Sequence, residues 1–199
     1  MGFIEDLVTA LLLLFVVLDP VGVSPYFASI TGRAPPGERG RMVRLAVAYA
    51  GVILLAFTLL GEVLLGLLGV STEEFKVAAG LMLLIYAAAD LFEVRIGYTP
   101  EARESAAIFP LATPLLAGPG SVATILYIKH AYGLTVALAS LAVNIALAYI
   151  VLRASTRLVE VLGRHGTLLI GKFMSLVMAG FAVSITLEGA YNALKELSS

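Results

Sequence analysis

The 199-residue sequence has no cysteine, and only 14% of it is charged. The missing thiols exclude disulfides and thiolate metal centres, and say nothing about redox compartment. Its two histidines, His130 and His165, fall at loop ends, and neither a His-Glu-x-x-His nor a Gly-x-Ser-x-Gly pattern occurs. The side-chain sets that intramembrane hydrolysis needs are therefore missing. We expect no enzyme, no metal site and no cofactor beyond a coupling ion. A net charge of −1 offers nucleic acid no basic surface. The scarcity of charge also carries the positive message. A soluble domain holds about 25% charged residues and about half apolar ones. Here 60% of the side chains are apolar, which points to an all-α integral membrane protein.

Six apolar stretches stand out, at about 4–30, 45–69, 75–92, 106–128, 132–152 and 168–192. Each is of the order of the ~20 residues that a helix needs to cross a bilayer. Glu5 and Asp6 open the first in place of Lys or Arg, and it ends in Leu-Asp-Pro rather than a small-x-small site, so we expect it to be retained and not cleaved as a signal peptide. Ser71 or Thr72 ahead of Glu73 and Glu74 reads as a helix N-cap.

The first stretch is interrupted in its middle by Asp19, Pro20, Gly22 and Pro25. At ~1.5 Å per residue a carboxylate there lies roughly 20 Å along the span, near the middle of a ~30 Å hydrocarbon layer. An ionisable group at that depth costs at least ~2.5–3.5 kcal/mol and usually faces a polar cavity. Pro20 and Pro25 each remove a backbone donor, and Gly22 tolerates the angles between them. The fourth stretch is broken likewise, by Pro110, Pro114, Gly118, Pro119 and Gly120. Both read as helices broken in mid-membrane.

Of the thirteen Lys and Arg residues, ten follow the first, third and fifth stretches, and three (Lys76, Lys129 and Lys195) lie on the other side. The positive-inside rule then puts both termini outside the cytoplasm of a multi-pass protein of the cell membrane. A shift of 99 residues brings Pro20 onto Pro119, Asp19 onto Gly118, Gly22 onto Ser121, Val23 onto Val122 and Ser24 onto Ala123. The reading is a single membrane domain over 1–199. It holds six transmembrane helices as two inverted three-helix repeats, 1–94 and 105–199, with the first helix of each broken. Broken helices at matching places in oppositely oriented halves point to a secondary transporter's binding site.

Leu18-Asp19-Pro20-Val21-Gly22-x-x-Pro25-x-Phe27, with Pro110-Leu111-Ala112-x-Pro114-Leu115-Leu116-Ala117-Gly118-Pro119-Gly120-Ser121, resembles the MarC family, also described as SnatA-like six-helix neutral amino acid transporters. The resemblance covers the whole chain in length, span number and the placing of both motifs. It implies transport of small neutral amino acids. One position departs: the family often has Asn after Gly22, where this chain has Val23, so the break loses a polar group.

The substrate-binding candidates are Asp19, Pro20, Gly22 and Ser24 at the first break, and Gly118, Pro119, Gly120, Ser121 and Thr124 at the second. Asp19 reads as a partner for a substrate ammonium or as the carrier of a coupling proton or sodium ion. It equally reads as a cap for the following half-helix, and both can hold. At the second break Gly118 leaves the helix start bare, so its N–H groups are expected to take the substrate carboxylate; Ser121 is either a further contact or its own cap. Glu62 is a second coupling-ion candidate or an interfacial residue. Ser24, Thr113 and Asn144 either line the cavity or bond neighbouring helices. Asp90 and Glu188 read as anchors or gates near opposite faces, with Asp90 at a depth that keeps it from pairing with Asp19. The tyrosines, Tyr127 among them, form an interfacial belt.

The function expected is ion- or proton-coupled transport of amino acids of the glycine, alanine or serine type by alternating access. The substrate and the lipid bilayer are the partners. A membrane scaffold or regulatory protein without transport activity is the alternative.

Overall fold

The computed structural model describes residues 2–31, 36–92 and 116–197. Helix α1 (Phe3–Leu18) opens with Glu5 and Asp6 in its first turn, where carboxylates favour the positive end of the helix dipole. It stops at Asp19, whose φ of 38° and ψ of 56° are left-handed. One residue later the chain is helical again as α2 (Pro20–Thr31). Aspartate is one of the few side chains that enter this region. The sequence suggested an interruption reaching to Pro25; the structure confines it to Asp19. Pro20 is the first residue of α2, where a helix needs no donor, and Pro25 is accommodated inside it.

Helix α3 (Pro36–Leu67) is followed by a tight turn, with Gly69 at φ 70°, and then by α4 (Thr72–Leu91). The N-cap expected at Ser71 or Thr72 is Ser71. Glu74 N–H donates to Ser71 Oγ at 3.1 Å, and Ser71 N–H donates back to Glu74 Oε2 at 2.8 Å, a reciprocal capping box. Helix α5 (Pro119–Arg153) bends at Gly133, and α6 (Ser155–Leu197) bends at Gly163; both glycines have positive φ, 86° and 68°. The α5 arm before Gly133 holds the second half of the predicted fourth span, and the arm after it the fifth. Residues 106–115, with Pro110, Thr113 and Pro114, lie outside the described residues.

Among the described residues four segments are long and apolar enough to cross a membrane: Phe3–Pro25, Gly37–Leu67, Gly120–Arg153 and His165–Lys195. Leu60, Val63, Leu67, Leu169 and Leu187 are each exposed by 60% or more. Apolar exposure on that scale suits lipid, not water. Inside, Leu14, Leu18, Leu54, Ile125 and Leu141 join α1, α3 and α5 in one core, and Leu83, Met178, Ala182 and Ile185 join α4 to α6 in another.

The bundle has two ends. At the turn end, beside the α3–α4 turn, Lys129 Nζ meets Glu62 at 3.0 Å and Asn192 Nδ2 donates to Glu73 at 3.2 Å. At the basic end Arg39 donates to Ser155 Oγ at 3.4 Å, and Lys172 Nζ donates to the carbonyls of Asp90 and Leu91, at 2.6 and 3.0 Å. A cation there suits the negative end of α4.

Candidate functional site

Asp19 serves two helices at once. Its N–H donates to the Phe15 carbonyl at 3.0 Å and closes α1, while its own carbonyl accepts from Val23 N–H at 3.1 Å and opens α2. Its carboxylate Oδ1 accepts from Gly22 N–H at 3.0 Å, the bond of an N-cap to the third residue of its helix. The second oxygen stands over glycine. A Cβ on Gly22 would lie 2.0 Å from Asp19 Oδ2 and 3.0 Å from Gly171 Cα, and a Cβ on Gly171 would lie 3.1 Å from Gly22 Cα. The backbones of α2 and α6 thus touch directly beneath a part-buried carboxylate. A side chain at Gly22 would displace the carboxylate, and one at Gly171 would press on the Gly22 backbone.

Asp90 makes no hydrogen bond or ion pair with Asp19, but it reaches the same stretch of α6. One turn beyond Gly171, Ser175 Oγ donates to the Asp90 carboxylate and to the Gly171 carbonyl at 3.0 Å. Helix α1 stops early at Leu18 and Asp90 stands near the far end of α4, so the two carboxylates face the same stretch of α6. Gly171 and Ser175, one turn apart, were the only local signal for this neighbourhood.

The start of α5 presents a bare N-terminus. Gly118 is its N-cap with no side-chain bond, and Pro119 follows at the first position. Ser121 Oγ does not cap the helix; it donates to the carbonyls of Leu116 at 2.8 Å and Gly118 at 3.0 Å. Thr124 Oγ1 donates to the Gly120 carbonyl at 2.9 Å, as Ser24 Oγ does to Pro20 at 2.7 Å. These three hydroxyls are buried and use their protons on backbone, so each keeps only acceptor capacity for a solute. A Cβ on Gly120 would meet Leu83 at 2.8 Å and Val17 at 3.6 Å. Val17 is two residues before Asp19, so the starts of α2 and α5 are neighbours. Beside Gly118 a cavity of about 400 Å³ opens among Phe57, Phe75, Met82, Ala117 and Val122.

A family model described as MarC family integral membrane protein matches residues 4–194. The chain belongs to the MarC family. This MarC chain is 32% identical over 193 residues to a UPF0056 membrane protein of Methanocaldococcus jannaschii, covering 91% of this chain and 94% of the relative. It is 29% identical over 185 residues to a Pyrococcus abyssi UPF0056 membrane protein, covering 90% and 92%. It is 27% identical over 189 residues to the UPF0056 inner membrane protein YhgN of Escherichia coli, covering 93% and 96%. No solved structure matches. The protein is a multi-pass integral membrane protein.

The remaining candidates of the MarC chain lie apart from this region. Asn144 Nδ2 donates to the Leu11 carbonyl of α1 at 3.2 Å and to Ser140 at 2.9 Å, so its amide joins helices. Glu62, with its side chain 48% exposed, pairs with Lys129 at the turn end. Sequence reasoning missed a part-buried network there. Lys76, only 3% exposed, holds Glu73 at 3.0 Å and Glu188 at 2.9 Å. Tyr127 Oη donates to the other Glu188 oxygen at 3.3 Å, and His130 Nε2 lies 3.6 Å from Glu73. Tyr127 therefore has a partner beyond an interfacial belt. Among the described residues no cluster of three or more metal-ligating side chains forms.

Proposed function

We propose that this protein is a secondary transporter of small neutral amino acids, of the glycine, alanine or serine type, coupled to protons or sodium and working by alternating access. The observation that carries the reading is Asp19: a carboxylate in a one-residue interruption between two membrane helices, with one oxygen on Gly22 N–H and the other over the Gly22–Gly171 contact. Such a group is costly in lipid and is retained where it binds or moves an ion. The substrate amine or the coupling ion lies toward Asp19. The substrate carboxylate takes the uncapped N–H groups of Gly120 and Ser121, where the helix dipole favours an anion. Pro20 and Gly22 set the first helix start, and Pro119 sets the second.

The six-span inverted arrangement belongs to the same proposal, with both termini outside the cytoplasm. The shift of 99 that superposes Pro20 on Pro119 also takes Glu73 to Lys172 and Lys76 to Ser175. The contact of Lys76 with Glu188 at one end is mirrored, within one position, by that of Ser175 with Asp90 at the other. Membership of the MarC family, and the resemblance to neutral amino acid transporters, support the substrate class.

Uptake of labelled glycine or alanine into proteoliposomes tests it. We expect uptake that an ionophore dissipates and that Asp19→Asn abolishes. No uptake of any small neutral amino acid by the wild type, under either ion gradient, would favour the scaffold alternative.

A further inference from the structure

The α4–α6 interface is close-packed in its middle and polar at both ends. A Cβ on Gly80 would lie 2.1 Å from Thr186 Oγ1 and 2.6 Å from the Ala182 carbonyl, and one on Gly189 would lie 2.8 Å from Lys76 Cβ. Between the ends sit Leu83, Ala87, Met178, Ala182 and Ile185. At the turn end Lys76 binds Glu73 and Glu188, and Asn192 adds a bond to Glu73. At the basic end Ser175 binds the Asp90 carboxylate while Lys172 binds the last carbonyls of α4. Lys76 and Glu73 are buried while the Glu188 side chain is 41% exposed, and a buried ion pair such as the first is seldom more stabilising than apolar filling of the same volume. Its better-attested use is to fix one arrangement out of two.

Each polar tie is also joined to one of the two helix starts. Tyr127, bonded to Glu188, lies on the arm of α5 that begins at Gly118–Pro119. Gly171, bonded to Ser175, touches Gly22 in the first turn of α2. Parting the first tie releases α5 at the turn end. Parting the second releases α2 at the basic end. We propose that the Lys76–Glu73–Glu188 network and the Asp90–Ser175–Lys172 network are the two closures of alternating access, one for each membrane face. This rests on the transport reading and names the residues that would have to separate in each half-cycle. Among the described residues both ties are made. Two ties at opposite ends of the α4–α6 interface suit a rocking of one helix on the other about its close-packed middle, because opening one end compresses the other.

The absence of cysteine makes single-cysteine labelling clean. Ala123, on the first arm of α5, is 2% exposed and lines the cavity beside Gly118. Ala123→Cys is labelled with a membrane-impermeant maleimide in right-side-out and inside-out vesicles. Glu188→Gln should raise the labelling rate from the turn-end face alone, by roughly tenfold, the size of effect a lost charge-assisted hydrogen bond has on a two-state equilibrium. Ser175→Ala should raise it from the basic-end face alone. Tyr127→Phe, which removes one hydroxyl and leaves every buried charge paired, should act as Glu188→Gln does but more weakly, and guards against misfolding of the charge variant. Equal increases from both faces, or no change in any of the three, would overturn the proposal. Wild-type uptake is measured alongside. If it is absent the transport reading falls, while the sidedness of labelling still judges the closures.

Discussion

Asp19 caps α2, and in the proposed mechanism its charge also holds the substrate amine or the coupling ion; two substitutions separate the two roles. Asn at this position tolerates the left-handed angles of φ 38° and ψ 56°, and its side-chain oxygen still accepts from Gly22 N–H. What it loses is the charge. Ala loses the cap, worth about 0.5–2 kcal/mol, and must also hold a left-handed conformation that costs it about 1–2 kcal/mol. The sum is about 1.5–4 kcal/mol for Asp19→Ala and near zero for Asp19→Asn. For a chain of this size each kcal/mol moves the melting temperature by about 2–4 °C, so Asp19→Ala should melt about 3–16 °C below the wild type. The sequence has no tryptophan, so the melt is best followed by helical circular dichroism in detergent. The expected pattern is Asn near wild type in stability and without coupled uptake, and Ala low in both. Asn melting as low as Ala would mean that the charge serves the fold. Asn with full uptake would remove the Asp19 charge from the mechanism.

Gly22→Ala should displace the Asp19 carboxylate and pry α2 from α6, because its Cβ would stand 2.0 Å from Asp19 Oδ2 and 3.0 Å from Gly171 Cα; overpacking of this kind costs about 1–3 kcal/mol, read as a lower melt together with lost uptake. Gly51→Ala, whose Cβ meets Ile145 at an ordinary 3.6 Å, is the control and should melt no lower than wild type. Asn144→Leu removes the bond to the Leu11 carbonyl and should cost about 0.6–2 kcal/mol, with uptake retained. Glu62→Gln breaks a half-exposed pair with Lys129; such pairs contribute about 0–1 kcal/mol, and uptake should persist under both proton and sodium gradients. Glu74, outside the lipid span, has its carboxyl held below the usual value of 4.5 by bonds from the Ser71 backbone and hydroxyl. A lowered native value means that its contribution is present above the unfolded value and lost as pH falls through the native one. Glu74→Gln should therefore flatten the decline in melting temperature as pH drops below 4.5.

What the sequence could reveal was local. The apolar stretches, the break at Asp19–Pro20 and the bare helix start at Gly118–Pro119 follow from composition and from the special chemistry of Asp, Pro and Gly. The extent of the first break did not follow, because Pro25 reads the same inside a helix as at its interruption; only the tertiary packing of α2 on α6 decides. The neighbourhood of Asp19 was hidden for another reason. Asp19, Asp90 and the Gly171–Ser175 turn come from distant parts of the chain, and no local pattern says which helices meet there. The Lys76 network was out of reach in the same way. Lys76 and Glu73 are one turn apart on a helix, but the partner that ties the pair to α6, Glu188, is 112 residues further on.

That separation bears on how the chain enters its membrane. Helix α4 carries Glu73, Glu74, Lys76 and Asp90 within 20 residues and is absent from the segments apolar enough to cross alone. When it leaves the ribosome, the glutamate that completes its ion pair has not been made. At ~5–20 residues per second the remaining 112 residues take on the order of ten seconds. During that interval Lys76 has only Glu73, one turn away on the same helix, and its ammonium group gains the second carboxylate when α6 arrives.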